Sequence, residues 1–202
     1  MIAITDYSVG NLFSIKSSLD VVGAESIITK DAQVLRSADK IILPGVGAFR
    51  DAHKKLAESG LGEVIIEEAK KGKPILGICL GMQLLFDKSY EYGEYSGLGL
   101  IKGTIKPIAD AVGDSLSIPH IGWNALIMKK ETPILKYLEN GDCVYFVHSY
   151  YAADCEESVT STTEYGCELT ASVQRDNIYG CQIHPEKSGK AGLSILKAFA
   201  EL

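Results

Sequence analysis

The chain has 202 residues, 46% of them hydrophobic and 23% charged, the balance of a globular protein with enough length to bury a sizeable core. A net charge of −6 counts against nucleic acid as the main partner, because phosphate recognition draws on clustered Lys and Arg. No apolar stretch has the length of a membrane span, and the N-terminus MIAITDYSVG lacks a basic region and reaches Asp6 too early for a signal peptide, so the sequence predicts one cytoplasmic domain over residues 1–202.

Residues 2–5 read as a short strand. Asn11 can cap a helix whose Leu12, Ile15, Leu19 and Val22 keep to one side, and Gly23 is placed to end it. Strands follow at 26–29 and 40–43, and the second runs into ILPGVGAF, where Gly45 and Gly47 flank Val46. Backbone so bare of side chains can aim N–H groups at a carbonyl oxygen; a simple tight turn is the plainer alternative. It is not a Walker loop, since the Lys-Ser/Thr signature is missing, and no GxGxxG follows a strand, so no nucleotide cofactor is expected.

Helices at about 49–59 and 63–71 precede Ile75, Leu76, Gly77 and Ile78, an apolar run of the kind buried on both faces of a parallel sheet. Cys79 comes next, and Leu80, Met82, Leu84, Leu85 and Phe86 then have helical spacing. A cysteine in a sharp strand-to-helix turn, with Gly77 and Gly81 leaving room around it, has the pattern of a nucleophile elbow. A lone cysteine is more often a buried structural thiol, so the elbow implies chemistry only if a base is at hand. The second half changes character, with strands at 98–106, 144–149, 168–174 and 178–183 and a closing helix at about 187–202. The whole predicts an α/β fold, a parallel or mixed central sheet flanked by helices with additional strands in the C-terminal half.

The five cysteines, at 79, 143, 155, 167 and 181, form no CxxC pair and none of the short spacings of a zinc site, so reduced thiols and no metal are expected. Of the four histidines, His53 lies among charged residues on a helix, His120 in a loop within IPHIGWN, and His148 in YFVHSYY. His184 ends a strand in QIHPEKSG, with Glu186 two residues on. Functional groups of an open parallel sheet collect beyond the carboxyl ends of its strands, where both Cys79 and His184 fall. Glu186 can orient the imidazole and stabilise its protonated form, completing a nucleophile, base and orienter set.

PGVGAF, GICLGMQLLF, IPHIGWN, YFVHSYY and QIHPEKSG, in that order and at these distances, resemble the class I Cys-His-Glu glutamine amidotransferases, whose fold is flavodoxin-like. Within that class the chain is similar to the glutaminase subunits of imidazole glycerol phosphate synthase, over essentially its whole length. The resemblance implies that Cys79 attacks the glutamine amide to form a γ-glutamyl thioester, that His184 moves the protons, and that Glu186 orients it. It implies an oxyanion hole from the N–H groups of Leu80 and, after the glycine loop rearranges, Val46. Gly45, Gly47, Gln83, Glu91, Ser149 and Tyr150 match positions that grip the glutamine, with Glu94 the alternative to Glu91. Trp123 and Asn124, with Tyr145 and Lys187, match residues that face a (β/α)8 cyclase subunit in a heterodimer. There the ammonia would be used to form imidazole glycerol phosphate and AICAR in histidine biosynthesis. Two rivals stand beside this reading. A glutaminase subunit of another synthase (pyridoxal phosphate or anthranilate) has the GWN loop against it, and a non-enzymatic flavodoxin-like binding module has the intact triad against it.

Overall fold

The computed structural model describes residues 1–113 and 116–202. Its main sheet has eight strands, and the five at one side run parallel: β2 (Ser26–Thr29), β1 (Ile2–Thr5), β3 (Lys40–Leu43), β4 (Ile75–Ile78) and β14 (Ile178–Cys181), in that spatial order. Antiparallel strands β13 (Glu168–Arg175), β12 (Val159–Glu164) and β9 (Ile127–Met128) extend it at the far side. The predicted mixed α/β architecture is therefore observed.

Strand alternation explains the two apolar layers. Ala3, Ile41, Leu43 and Ile75 point to the face covered by α2 (Ala32–Ser37), α3 (Phe49–Glu58), α4 (Leu61–Lys70) and α5 (Leu80–Leu84). Ile2, Ile4, Ile42, Leu76 and Ile78 point to the other, against Ile15 and Leu19 of α1 (Leu12–Val21) and Ile195, Leu196 and Phe199 of α7 (Gly189–Ala200). With both faces covered, β1 and β4 are buried along their whole length.

Two smaller sheets stand beside this core. β11 (Tyr150–Ala153), β7 (Ile101–Pro107), β5 (Phe86–Ser89) and β6 (Tyr95–Ser96) form one, and α6 (Ile108–Val112) follows β7. The other is a ribbon of β10 (Cys143–His148) and β8 (His120–Ala125), in which Tyr145 lies opposite Trp123 and His148 opposite His120.

Several expectations need correction. The helix after Cys79 stops at Leu84, and Phe86 opens β5, because the carbonyls of Leu84, Leu85 and Phe86 accept hydrogen bonds from residues 98–101. The IPHIGWN segment, expected as a loop, is strand β8 from His120 onward, since its backbone pairs with β10. The strand expected over 178–183 ends at Cys181, so His184 lies three residues past it; the expected closing helix begins at Gly189, after a 3-10 turn at Pro185–Lys187. Asn11 occupies the N-cap position of α1, yet its side chain makes no capping bond there.

The elbow is locked by a contact that tolerates no side chain. A Cβ on Gly81 would fall 1.9 Å from the Leu43 carbonyl oxygen, and one on Gly45 would fall 2.6 Å from the Gly81 nitrogen. The glycine loop after β3 thus rests directly on the first turn of α5. Gly81→Ala is expected to destabilise the protein by at least about 3 kcal/mol in urea unfolding, because rigid backbone must move to admit one methyl. A loss below about 1 kcal/mol would show that the loop yields freely.

Candidate active site

Cys79 sits at φ 54°, ψ −114°, a conformation costly for any residue with a Cβ. What holds it there is the sheet. Its N–H donates to the Cys181 carbonyl at 2.8 Å, and its own carbonyl accepts from the Gln83 N–H at 3.2 Å. The turn lifts the thiol above the carboxyl ends of β4 and β14. Gln182, fully buried, steadies it from below: its Nε2 lies 3.6 Å from the Cys79 sulfur, and its Oε1 accepts from Gln83 Nε2 at 2.9 Å.

His184 arrives from the neighbouring strand. Its N–H donates to the Tyr145 carbonyl at 3.1 Å, and its carbonyl accepts from Ser188 Oγ at 2.7 Å, so the backbone cannot swing. Nδ1 meets Glu186 Oε1 at 2.8 Å, which leaves Nε2 for the thiol. The same Oε1 accepts from Asn11 Nδ2 at 3.0 Å, and this is what the Asn11 side chain does in place of capping α1. Glu186 Oε2 is buried with no hydrogen-bond partner among the described residues.

Charge follows from this geometry. Burial alone would depress the His184 imidazolium, but hydrogen bonds and attraction from Cys79 and Glu186 outweigh it and raise the group to about 9. For Glu186, burial acts upward, yet the His184 and Asn11 contacts prevail and hold the carboxyl below its usual range.

A cavity of about 490 Å³ opens over the pair, room for an amino acid substrate. Val46, Gly47, Leu80, Gln83, Glu91, Ser149 and Tyr150 line it with Cys79, His184 and Lys187. Gly45 is not on that lining; it lies beneath, against α5. Glu91 Oε2 accepts from the Phe49 N–H at 2.6 Å, and burial raises its carboxyl. Glu94 is instead on the surface, paired with Lys88 at 2.6 Å, so of the two acids only Glu91 reaches the cavity. A larger groove runs along residues 128–138 and holds none of the candidate groups.

On the rim, Trp123 is 57% exposed and packs edge-on to Tyr145, with the Lys187 ammonium 6.0 Å from the Tyr145 ring. Asn124 turns the other way: its Nδ2 donates to the Glu164 carbonyl at 2.7 Å and its Oδ1 accepts from the Ala125 N–H at 2.9 Å. Three residues escaped the sequence reading as parts of the site. Asn11 carried only a helix-cap signal. Gln182 stands two residues before His184 in sequence, which was a usable clue. Tyr7, whose hydroxyl donates to the Pro44 carbonyl at 2.6 Å beneath the glycine loop, gave none.

A thiol on a strained elbow, an imidazole and a buried carboxylate on an open sheet define a class of acyl-transfer site, and comparison with known proteins agrees. The family model for class-I glutamine amidotransferases matches residues 3–201, so the chain belongs to that family. It is 50% identical to imidazole glycerol phosphate synthase subunit HisH of Caldanaerobacter subterraneus subsp. tengcongensis, across 100% of this chain and 98% of that one. Subunit HisH of Wolinella succinogenes is also 50% identical, across the full length of both. Among solved structures, PurLQS from Thermotoga maritima superposes with a TM-score of 0.76 at 22% identity, covering 99% of this chain and 97% of that one, a likeness of fold.

The raised His184 has a thermodynamic signature. A group with its folded-state value near 9 and an ordinary value of 6.5 contributes stability that is fully present below about 6.5 and is lost as pH rises through about 9. The stability gap between the wild type and His184→Asn is therefore expected to be widest near pH 6 and to shrink by about pH 9.5 in chemical denaturation. A gap independent of pH would mean that His184 carries no extra proton in the folded state.

Proposed function

We propose that the chain is the glutaminase subunit of imidazole glycerol phosphate synthase, a cytoplasmic enzyme subunit that releases ammonia from glutamine for a (β/α)8 cyclase partner in histidine biosynthesis. One observation carries the reading: Cys79 on its strained turn beside the His184–Glu186 pair, at the floor of a cavity that also holds Glu91.

In the reaction, the His184 imidazolium retains the thiol's proton on Nε2 while Cys79 Sγ attacks the side-chain amide carbon of glutamine. The negative charge on the former carbonyl oxygen is met by the Leu80 N–H at the start of α5 and the Val46 N–H of the glycine loop. Val46 lies between Gly45 and Gly47, the latter at φ 92°, so its peptide turns at little steric cost. Collapse of the tetrahedral adduct breaks the C–N bond, with His184 giving its proton to the leaving ammonia. Water, deprotonated by the same imidazole, then attacks the γ-glutamyl thioester; glutamate leaves and the thiol is restored. Glu91, Gln83 and the Ser149–Tyr150 segment hold the amino-acid end of the substrate.

Ammonia set free in water at neutral pH is mostly protonated and useless as a nucleophile, so it has to pass directly to a second site. The exposed face formed by Trp123, Tyr145 and Lys187 beside the cavity mouth suits the docking of that partner, with a large aromatic at its centre.

The decisive experiment is Cys79→Ala in complex with the cyclase. Glutamine-dependent synthesis is expected to vanish while synthesis from added ammonia persists, since only acyl transfer uses the thiol. A glutamine-like electrophile should label Cys79 alone by mass spectrometry; labelling of Cys143 or Cys181 would sink the assignment. Asn11→Ala should lower kcat about tenfold with little change in KM, because Glu186 loses the bond that fixes its oxygen toward the imidazole. An unchanged kcat would assign Asn11 to the scaffold of α1 alone.

A further inference from the structure

His148 and His120 are both buried, and the reaction as derived uses neither. They meet across the β8–β10 ribbon, His120 Nδ1 to His148 Nε2 at 3.0 Å. Two nitrogens at that distance need one proton between them, and the surrounding partners say where it lies. His148 Nδ1 is 2.8 Å from the Tyr150 carbonyl, which can only accept, so Nδ1 carries hydrogen. Burial keeps His148 neutral, its value pushed down to about 4, so its Nε2 is bare and accepts. His120 must then donate from Nδ1. Its own Nε2 faces Asn124 Nδ2 at 3.5 Å, and that amide cannot turn over, because its oxygen accepts from the Ala125 N–H and its nitrogen donates to the Glu164 carbonyl. The His120 ring is held flat between Phe146 and Tyr165, with centroids 4.8 and 4.1 Å away.

We propose that His120 and His148 are positioning residues, a one-directional hydrogen-bond chain from Asn124 to the Tyr150 carbonyl that sets the strand segment gripping glutamine. The proposal rests on the glutaminase reading and adds to it. Tyr150 and Ser149 line the cavity, and the Tyr150 carbonyl also accepts from Gln83 Nε2 at 3.2 Å. That one oxygen therefore joins the segment to α5 on one side and to the ribbon on the other. The outer end of the chain, Asn124, is the sequence neighbour of exposed Trp123, so the ribbon that presents the docking face also fixes the pocket wall.

Two measurements test this. In the nitrogen-15-labelled full chain, His120 and His148 are both expected as neutral imidazoles protonated at Nδ1; an Nε2-protonated form at either position overturns the proposal. In the complex with the cyclase, His120→Phe keeps the ring stack but loses the donor. It is expected to raise KM for glutamine about tenfold while kcat changes less than about threefold. His120→Asn, whose amide N–H can replace Nδ1–H, should recover most of that loss. An unchanged KM in His120→Phe, or equal losses in the two variants, would refute the positioning role. The tautomer measurement needs no turnover. A wild-type complex that releases no ammonia would thus sink the glutaminase reading, while the histidine chain would still be upheld or overturned by its own spectrum.

Discussion

Everything at the site hangs on the place where the glycine loop after β3 lies on the first turn of α5. The Leu43 carbonyl and the Gly81 backbone approach so closely that no Cβ fits between them, and Gly45 repeats the condition from the other side. This contact fixes the elbow against β3, and the hydrogen bond from Cys79 to the Cys181 carbonyl fixes it against β14. Pinned on two sides, Cys79 can be kept at a positive φ that it would abandon if free. The Cys79 thiol, the glycine loop beside it and the strand that leads to His184 are thus positioned by one connected backbone junction rather than by three separate devices.

Around that junction the polar groups divide their work. Glu186 is sealed from solvent and directs one oxygen at both His184 and Asn11. Gln182 bridges the sulfur and Gln83, and Gln83 in turn reaches the Tyr150 carbonyl. Buried networks of this kind are stable only when their members are nearly all satisfied, which makes each side chain hard to replace alone. Among the described residues no helix is long and apolar enough to cross a membrane, and no group of His, Cys, Asp and Glu is arranged to hold a metal ion.

The parts that were legible in the sequence share a physical cause. Strands β1, β3 and β4 are buried on both faces and so appear as short apolar runs, and the elbow and the HPE turn follow from the residue types that such turns demand. What stayed hidden was fixed by distant pairing. The strand at Val159–Glu164 is rich in Thr and Ser, and its hydroxyls are satisfied by partners on β13 and β8 that the local pattern cannot reveal. Phe86 looked like the continuation of a helix because its partners are Gly99 and Ile101. The choice between Glu91 and Glu94 depended on which one the Phe49 N–H could reach. Asn11 showed only its capping propensity, while its partner was 175 positions away.

The pairing of β4 with β14 joins residues 75–78 to residues 178–181. Cys79 and His184 are therefore synthesised about a hundred residues apart, and neighbouring parallel strands that are far apart in sequence pair late. A nascent chain on the ribosome can carry Cys79 on a partly formed sheet for as long as it takes to make another hundred or so residues, with no imidazole beside it. Truncated or unfinished copies hold Cys79 without His184, so by the proposed mechanism they would release no ammonia from glutamine.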